Sequence, residues 1–311
     1  MKYVITGSSG FIGVEVSKVL LAKGETVYAV CRKDSKNLKD VPQHENLKMV
    51  WADLAHLDAI RDLVDNADVF IHLAWQGTVG EERNNNVIQE NNKSNAYTAM
   101  RVAKAIGCTV FVDSGSQAEY GTCTDLITEE TLCNPFSDYG KAKLEVWQKG
   151  KILCEKLGLK YVHLRIFSMY GENDHPYTLV MSIIDKLLRN EPSIDLSSCT
   201  QMWNYVYCSD ACKMIVGLCE HAMTNPDFKA EIYNIASNDT RELKEFVERI
   251  KQLTGSSSFC NYGAVVPSKL VTLNPSVEKV LSVVNIKFTP FDEVIHRIIS
   301  KIRTIQNNVN L

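Results

Sequence analysis

Tyr139 and Lys143 form a Y-x-x-x-K pair within Asp138-Tyr139-Gly140-Lys141-Ala142-Lys143. In a helix, a spacing of four puts both side chains on one face, about one turn apart. A tyrosine of ordinary pKa, about 10, is a usable proton donor, and it becomes a usable base once that pKa falls. A lysine beside it supplies the positive charge that favours the phenolate. The pair therefore suits proton transfer to or from an oxygen. With 12 tyrosines in the chain one such spacing is expected by coincidence, so position must decide, and Tyr139 is the one tyrosine with a lysine four residues on.

The surrounding pattern supplies that position. Residues 2–6, 26–31, 47–51, 69–75, 109–113 and 161–167 read as strands. Residues 11–23, 57–64, 87–106 and 139–157 read as helices, so Tyr139 opens the helix after the fifth strand. This alternation predicts right-handed crossovers and a mostly parallel sheet. The strands are nearly continuous apolar runs, as a sheet covered on both faces requires. Residues 1–170 are thus expected to form a Rossmann-type, doubly wound α/β domain. Past residue 170, prolines (Pro176, Pro192, Pro226, Pro267, Pro275, Pro290) and serine clusters interrupt the pattern. Residues 171–311 are expected to be mostly a smaller substrate-binding lobe, able to lend elements back to the first sheet. Asparagine, abundant in 81–95, is a poor helix former, and the first half of that segment is expected to be a mobile, solvated loop.

Strand one runs into Thr6-Gly7-Ser8-Ser9-Gly10-Phe11-Ile12-Gly13. Gly7 suits a tight turn, Gly10 lets the backbone approach a pyrophosphate, and Gly13 lets the helix pack on the strand. The phosphate would rest on the helix N-terminus, where free N–H groups and the dipole favour an anion.

This T-G-x-x-G-F-I-G spacing resembles the extended short-chain dehydrogenase/reductase family, of the NAD-dependent epimerase/dehydratase type. Asp53 and Leu54 are similar to its adenine-contacting segment after strand three, and Leu73-Ala74-Trp75 to its L-A-A segment beside the cofactor. Asn92 falls where the family begins its N-x-x-G-T helix, although Asn95 and Ala96 replace the glycine and threonine. Residues 164–171 resemble L-R-x-F-N-x-Y-G, with Ser168 replacing the substrate-contacting asparagine. Trp203-Asn204-Tyr205-Val206-Tyr207 resembles R-D-[FY]-[IV]-[HY], with Trp203 replacing the arginine, and 286–290 resembles L-G-W-x-P. The resemblance implies that Ser116, four residues before Tyr120-Gly121, is the catalytic hydroxyl beside Tyr139 and Lys143. Ser116 would hold the substrate oxygen toward Tyr139, while Lys143 lowers the tyrosine and holds the nicotinamide ribose. It implies a dinucleotide contacted by Thr6, Gly7, Gly10, Phe11, Ile12, Gly13, Asp53, Leu54, Leu73, Ala74, Trp75, Tyr139 and Lys143. Gln76, Gln117, Ser168, Tyr177, Trp203 and Asn204 are the candidate substrate contacts, and the substrate implied is a nucleotide sugar. A homodimer through helices near 90–106 and 139–157 is implied as well.

Three reactions compete within the family. A 4,6-dehydratase carries an Asp-Glu pair directly after the catalytic hydroxyl, where this chain has Gln117 and Ala118. A C4 epimerase keeps NAD and usually ends strand two with an acid that binds the ribose 2′-OH. Here that end reads Val30-Cys31-Arg32-Lys33, with no carboxylate before Asp34. Arg32 and Lys33 suit a 2′-phosphate through charge-assisted hydrogen bonds, which favours NADP(H) over NAD(H). The reading that follows is an NADPH-dependent 4-ketoreductase of a 4-keto-6-deoxy nucleotide sugar, with a C4 epimerase as the alternative. A non-catalytic dinucleotide sensor is the third, and it would typically have lost the tyrosine or lysine.

Composition agrees with an ordinary globular enzyme. The 311 residues are 45% hydrophobic and 23% charged, with a net charge of −3. That balance calls for neither nucleic acid nor an anionic membrane as partner. No secretory signal peptide or long apolar span is read. Ten cysteines are scattered without C-x-x-C pairs, and seven histidines are dispersed, which predicts reduced thiols, a cytoplasmic location and no metal site.

Overall fold

The computed structural model describes residues 1–267 and 271–309. Six strands of the first half are β1 (Lys2–Thr6), β2 (Thr26–Cys31), β3 (Leu47–Trp51), β4 (Val69–His72), β5 (Val110–Ser116) and β6 (Lys160–Ile166). Their crossovers carry α1 (Phe11–Ala22), α2 (Ile60–Leu63), α3 (Asn86–Ala105) and α4 (Asp138–Leu157). The second half contributes β7 (Ser168–Tyr170), α5 (Leu179–Leu188), β8 (Ser193–Leu196), β9 (Met202–Tyr207), α6 (Cys208–Thr224) and β10 (Ala230–Ile235). It ends with β11 (Thr240–Glu242), α7 (Leu243–Thr254), β12 (Phe259–Tyr262), α8 (Glu278–Leu281) and α9 (Phe291–Val309). The main sheet has seven strands in the order β10-β6-β5-β4-β1-β2-β3, and every pairing is parallel.

The pleat sends alternate residues to opposite faces. Ile5, Ile71 and Val112 pack with Val16 and Leu20 of α1 and Met214 and Leu218 of α6. Val4, Phe70 and Phe111 pack on the other face with Met100 of α3 and Val146 of α4. The sheet is therefore doubly wound, as its continuous apolar strands require. A third core unites Ile184 and Leu187 of α5, Phe246 of α7 and Ile295 and Ile298 of α9, beside the small β11-β9-β7 sheet. β10 returns from this second half to pair with β6, so the chain does lend an element back.

Three local departures from the sequence pattern bear on the site. β4 stops at His72, which frees residues 73–75 from the sheet. The helix expected over 57–64 is a 3-10 turn, Leu54–Ala59, followed by the single turn of α2. Leu57, Ile60 and Val64 still point inward, so the apolar spacing was right while the Asp53 cap, accepting from the His56 amide, bends the backbone. The asparagine-rich segment is a 3-10 turn at Glu81–Asn84 and then α3, whose N-cap is Asn85. Its amides act as fasteners: Gln89 donates to the Gly77 and Glu82 carbonyls, and buried Asn92 holds both the amide and the carbonyl of Gln76. All ten cysteines are free thiols. Among the described residues no helix is long and apolar enough to cross a membrane.

Candidate active site

A groove of about 1230 Å³ lies outside the carboxyl ends of β1 to β4. It exceeds the roughly 300–1,000 Å³ of a drug-sized pocket, as a two-nucleotide ligand requires. Thr6, Gly7, Gly10, Arg32, Lys33, Asp53, Leu54, Leu73, Ala74 and Trp75 all line it. At its floor α1 begins at Gly10 with no side-chain cap and no acid in its first turn. Those unclaimed N–H groups and the positive dipole end fit a pyrophosphate. Gly13 keeps the helix close, since a Cβ there would stand 2.2 Å from the Gly7 carbonyl oxygen. The residues present thus fit a dinucleotide. Phe11 and Ile12 instead turn toward the core, and Asp53 spends its carboxylate on the His56 amide and ring. Arg32 and Lys33 are exposed on the rim near Ser9 and Ser35, whose hydroxyls are 2.9 Å apart.

Beside the groove, β5 delivers Ser116 and α4 delivers Tyr139 and Lys143. Ser137 caps α4 by accepting from the Gly140 amide at 3.1 Å, which fixes where the helix starts and so where Tyr139 points. The Ser116 side chain faces the Tyr139 phenol, while Ser116 Oγ accepts from the Ala118 amide at 3.2 Å. Burial raises the Tyr139 phenol above its ordinary value, with Ser116 and the charge of Arg83 working against that rise. Lys143 is buried, donating to the Ser114 carbonyl and to Ser114 Oγ at 3.2 Å. Its ammonium sits 3.4 Å from the Trp75 ring centroid, and burial pushes it down to about 7 against the pull of Asp113 and Glu119. Trp75 itself meets Tyr139 edge-on and donates from Nε1 to Gln89 at 2.9 Å. Burial, with Lys143 adding, lowers His72 to about 4, so this neighbour stays neutral.

Behind Ser116 lies a buried charge cluster. His163 Nδ1 is 2.7 Å from Asp113 Oδ1, and its Nε2 is 3.1 Å from both oxygens of Glu119. Arg165 Nε donates to Glu119 at 2.9 Å, and the Ser116 amide donates to the same carboxylate at 2.7 Å. Burial alone would lower His163, yet the flanking carboxylates raise it to about 9, making it a cation at neutral pH. Burial would likewise raise Glu119, but His163 and Arg165 hold it below its ordinary value. Gly115 makes room for this cluster, since a Cβ there would lie 2.4 Å from His163 Nε2 and 2.7 Å from Glu119 Oε1.

The candidate substrate residues are spread more widely. Gln76 is exposed after β4, and Gln117 opens the turn following Ser116. Ser168 begins β7 opposite Tyr205, and Tyr177 is exposed and stacked on His175, a residue that lines the groove. Trp203 has a buried indole N–H without an acceptor among the described residues. Asn204 is fully buried, its amide taken by Ser237 and Thr240, so it fastens β9 to the 237–240 turn. Arg83, Glu119 and His163 were not singled out by the sequence. A signal existed for His163: with Arg165 it occupies alternate positions of the apolar strand β6, so the two share one face and need a buried anion.

The NAD dependent epimerase/dehydratase family model matches residues 3–236. An uncharacterized UDP-glucose epimerase, YtcB, of Bacillus subtilis is 24% identical over 278 residues, 84% of this chain and 85% of that one. A CDP-abequose synthase of Salmonella muenchen is 24% identical over 273 residues, 85% of this chain and 84% of its own. Among solved structures, UDP-glucuronic acid 4-epimerase from Bacillus cereus, in complex with UDP-glucuronic acid and NAD, superposes with a TM-score of 0.85 at 20% identity. That match covers 98% of this chain and 100% of the other.

Proposed function

The chain belongs to the NAD dependent epimerase/dehydratase family and is an enzyme, and we propose that it is an NADPH-dependent 4-ketoreductase of a 4-keto-6-deoxy nucleotide sugar. The observation that carries this reading is the placement of Ser116 at the end of β5 and of Tyr139 and Lys143 one turn apart at the start of α4, both against Trp75 of a groove that fits a dinucleotide. A dinucleotide held by Thr6, Gly7 and Gly10 along the groove would supply the hydride that reduces C4 of the sugar. Ser116 Oγ donates to the C4 carbonyl oxygen and aims it at Tyr139. Tyr139 gives its proton to the alkoxide that forms, and the tyrosinate is reprotonated from solvent. Lys143 would hydrogen-bond the nicotinamide ribose of a bound dinucleotide, and Trp75 would shield the reacting centre from water. Trp203, whose N–H has no acceptor among the described residues, is a donor available to the nucleotide sugar.

Reduction is favoured over epimerisation by Arg32 and Lys33 on the groove rim, where a 2′-phosphate finds two cations. The likeness to a CDP-abequose synthase supports a nucleotide-sugar substrate. A C4 epimerase that retains NAD is the second reading, favoured by Asp34 on the same rim, a carboxylate available to a ribose 2′-OH. A homodimer through α3 and α4 and a cytoplasmic location belong to the same proposal, the latter supported by ten unpaired thiols.

The test is to denature freshly purified protein and identify any dinucleotide released, with its stoichiometry. Little bound cofactor, and NADPH binding much more tightly than NADH, supports the reductase. About one NAD per chain would turn the assignment to the epimerase. Tyr139→Phe should abolish turnover while sparing cofactor affinity, and normal turnover in that variant would remove Tyr139 from the mechanism.

A further inference from the structure

We propose that Arg83 is a positioning residue for this reaction: its guanidinium, stacked on the Tyr139 ring, is the permanent counter-charge of the Tyr139 phenolate. The guanidinium carbon lies 4.4 Å from the ring centroid. This inference rests on the reading of Tyr139 as the acid and base of the reaction.

The placement is built rather than incidental. Arg83 Nη1 donates to the Thr78 carbonyl at 2.9 Å, closing the turn on which it sits. Gln89 Nε2 holds that turn from α3 by donating to the Gly77 and Glu82 carbonyls at 2.9 and 3.2 Å. Asn84 Oδ1 accepts from the Asp138 amide at 3.3 Å, which ties the turn to the residue preceding Tyr139. A long surface side chain is thereby held against one ring from two helices.

Chemistry gives this contact a purpose that Lys143 does not fill. The Lys143 ammonium rests on Trp75 and lies 5.7 Å from the Tyr139 centroid. Burial pushes it down to about 7, which weakens its hold on a proton. A guanidinium does not lose its proton in a protein, and it stacks flat on an aromatic face. Attraction between a cation and a tyrosine ring grows when the ring becomes an anion, so Arg83 favours the phenolate selectively. The other groups facing Tyr139 are the Ser116 hydroxyl, which also favours the phenolate, and Glu119, which opposes it. Asp113 acts on Lys143 from behind. Among the described residues, Arg83 is thus the one fixed positive charge against the ring in a mixed surround.

The experiment is an ultraviolet difference titration of tyrosinate on the purified full chain, wild type minus Tyr139→Phe, repeated in Arg83→Gln and Arg83→Lys backgrounds. It needs no substrate. In Arg83→Gln the Tyr139 transition should move upward by about one pH unit, a tenfold smaller phenolate fraction at a given pH. Arg83→Lys should restore part of that shift. A packing role alone would lower thermal stability and leave the transition in place. A Tyr139 transition that is absent in the wild type, or unmoved in Arg83→Gln, overturns the proposal. Failure of the underlying reading looks different, because it appears as turnover by Tyr139→Phe whatever the titration shows.

Discussion

The Lys143 ammonium and the Trp75 indole stand 3.4 Å apart, cation over ring face. Among the described residues, Ser114 alone accepts from this buried cation and no carboxylate touches it, and burial lowers it to about 7. The unfolded chain keeps a lysine of about 10.4, so between those values it binds a proton the folded chain has shed. Stability from this group therefore rises as pH increases above about 7. Relative to Lys143→Met, the wild type should gain about 2 kcal/mol between about pH 7 and pH 9 in urea unfolding. Parallel curves for the two proteins would mean that Lys143 stays protonated throughout.

His163 has the opposite sign. Its folded value of about 9 lies above the ordinary histidine value, so its stabilisation is complete below about pH 6.5 and fades as pH rises through 9. Removing it leaves Asp113 and Glu119 buried with Arg165 as their remaining cation. His163→Gln should cost about 3–5 kcal/mol near pH 6.5, with the deficit narrowing as pH rises from about 6.5 to about 9 and level beyond. A constant deficit across that range would show that His163 is neutral in the fold.

At the groove rim, Arg32 is 58% exposed and its Nε is 3.8 Å from Asp34, a weak pairing that leaves its donors available. Arg32→Ser should weaken NADPH binding by about tenfold and leave NADH within a factor of about two. Quenching of tryptophan fluorescence, with Trp51 and Trp75 in the groove, provides the titration. Equal losses for both dinucleotides would place Arg32 on the pyrophosphate side of recognition instead.

Asn92 holds the Gln76 backbone at 3.1 and 2.8 Å from a buried position. Asn92→Ala leaves both groups short of partners at a cost of about 2 kcal/mol. Amide hydrogen exchange should quicken over 76–85 far more than in β1. Uniform acceleration across both regions would indicate global destabilisation only.

Much of this was legible in the chain. The bounds of β1, β2 and β3 follow from apolar runs stopped by glycine or charge, and the groove follows from Gly7, Gly10 and Gly13 standing between a strand and a helix. What was not legible depends on strand register and turn geometry. Glu119 meets His163 only because β5 and β6 align Asp113 with His163. Arg83 reaches Tyr139 only because the Asn84 and Gln89 side chains fasten a turn that the asparagine-rich sequence presents as open. Nor does the Y-x-x-x-K spacing reveal that the Lys143 ammonium lies 3.4 Å from the Trp75 centroid and 5.7 Å from that of Tyr139, while the Arg83 guanidinium lies 4.4 Å from the Tyr139 ring.

β10 is drawn from beyond residue 229 to cover the outer edge of β6. A ribosome-bound chain ending near residue 170 would carry every element of the first six strands and still expose that edge, a row of unpaired N–H and C=O groups able to template aggregation. The apparent boundary at 170 is consequently a poor place to cut. A fragment ending there should be insoluble, and one extended past residue 235 is the shortest that closes the sheet.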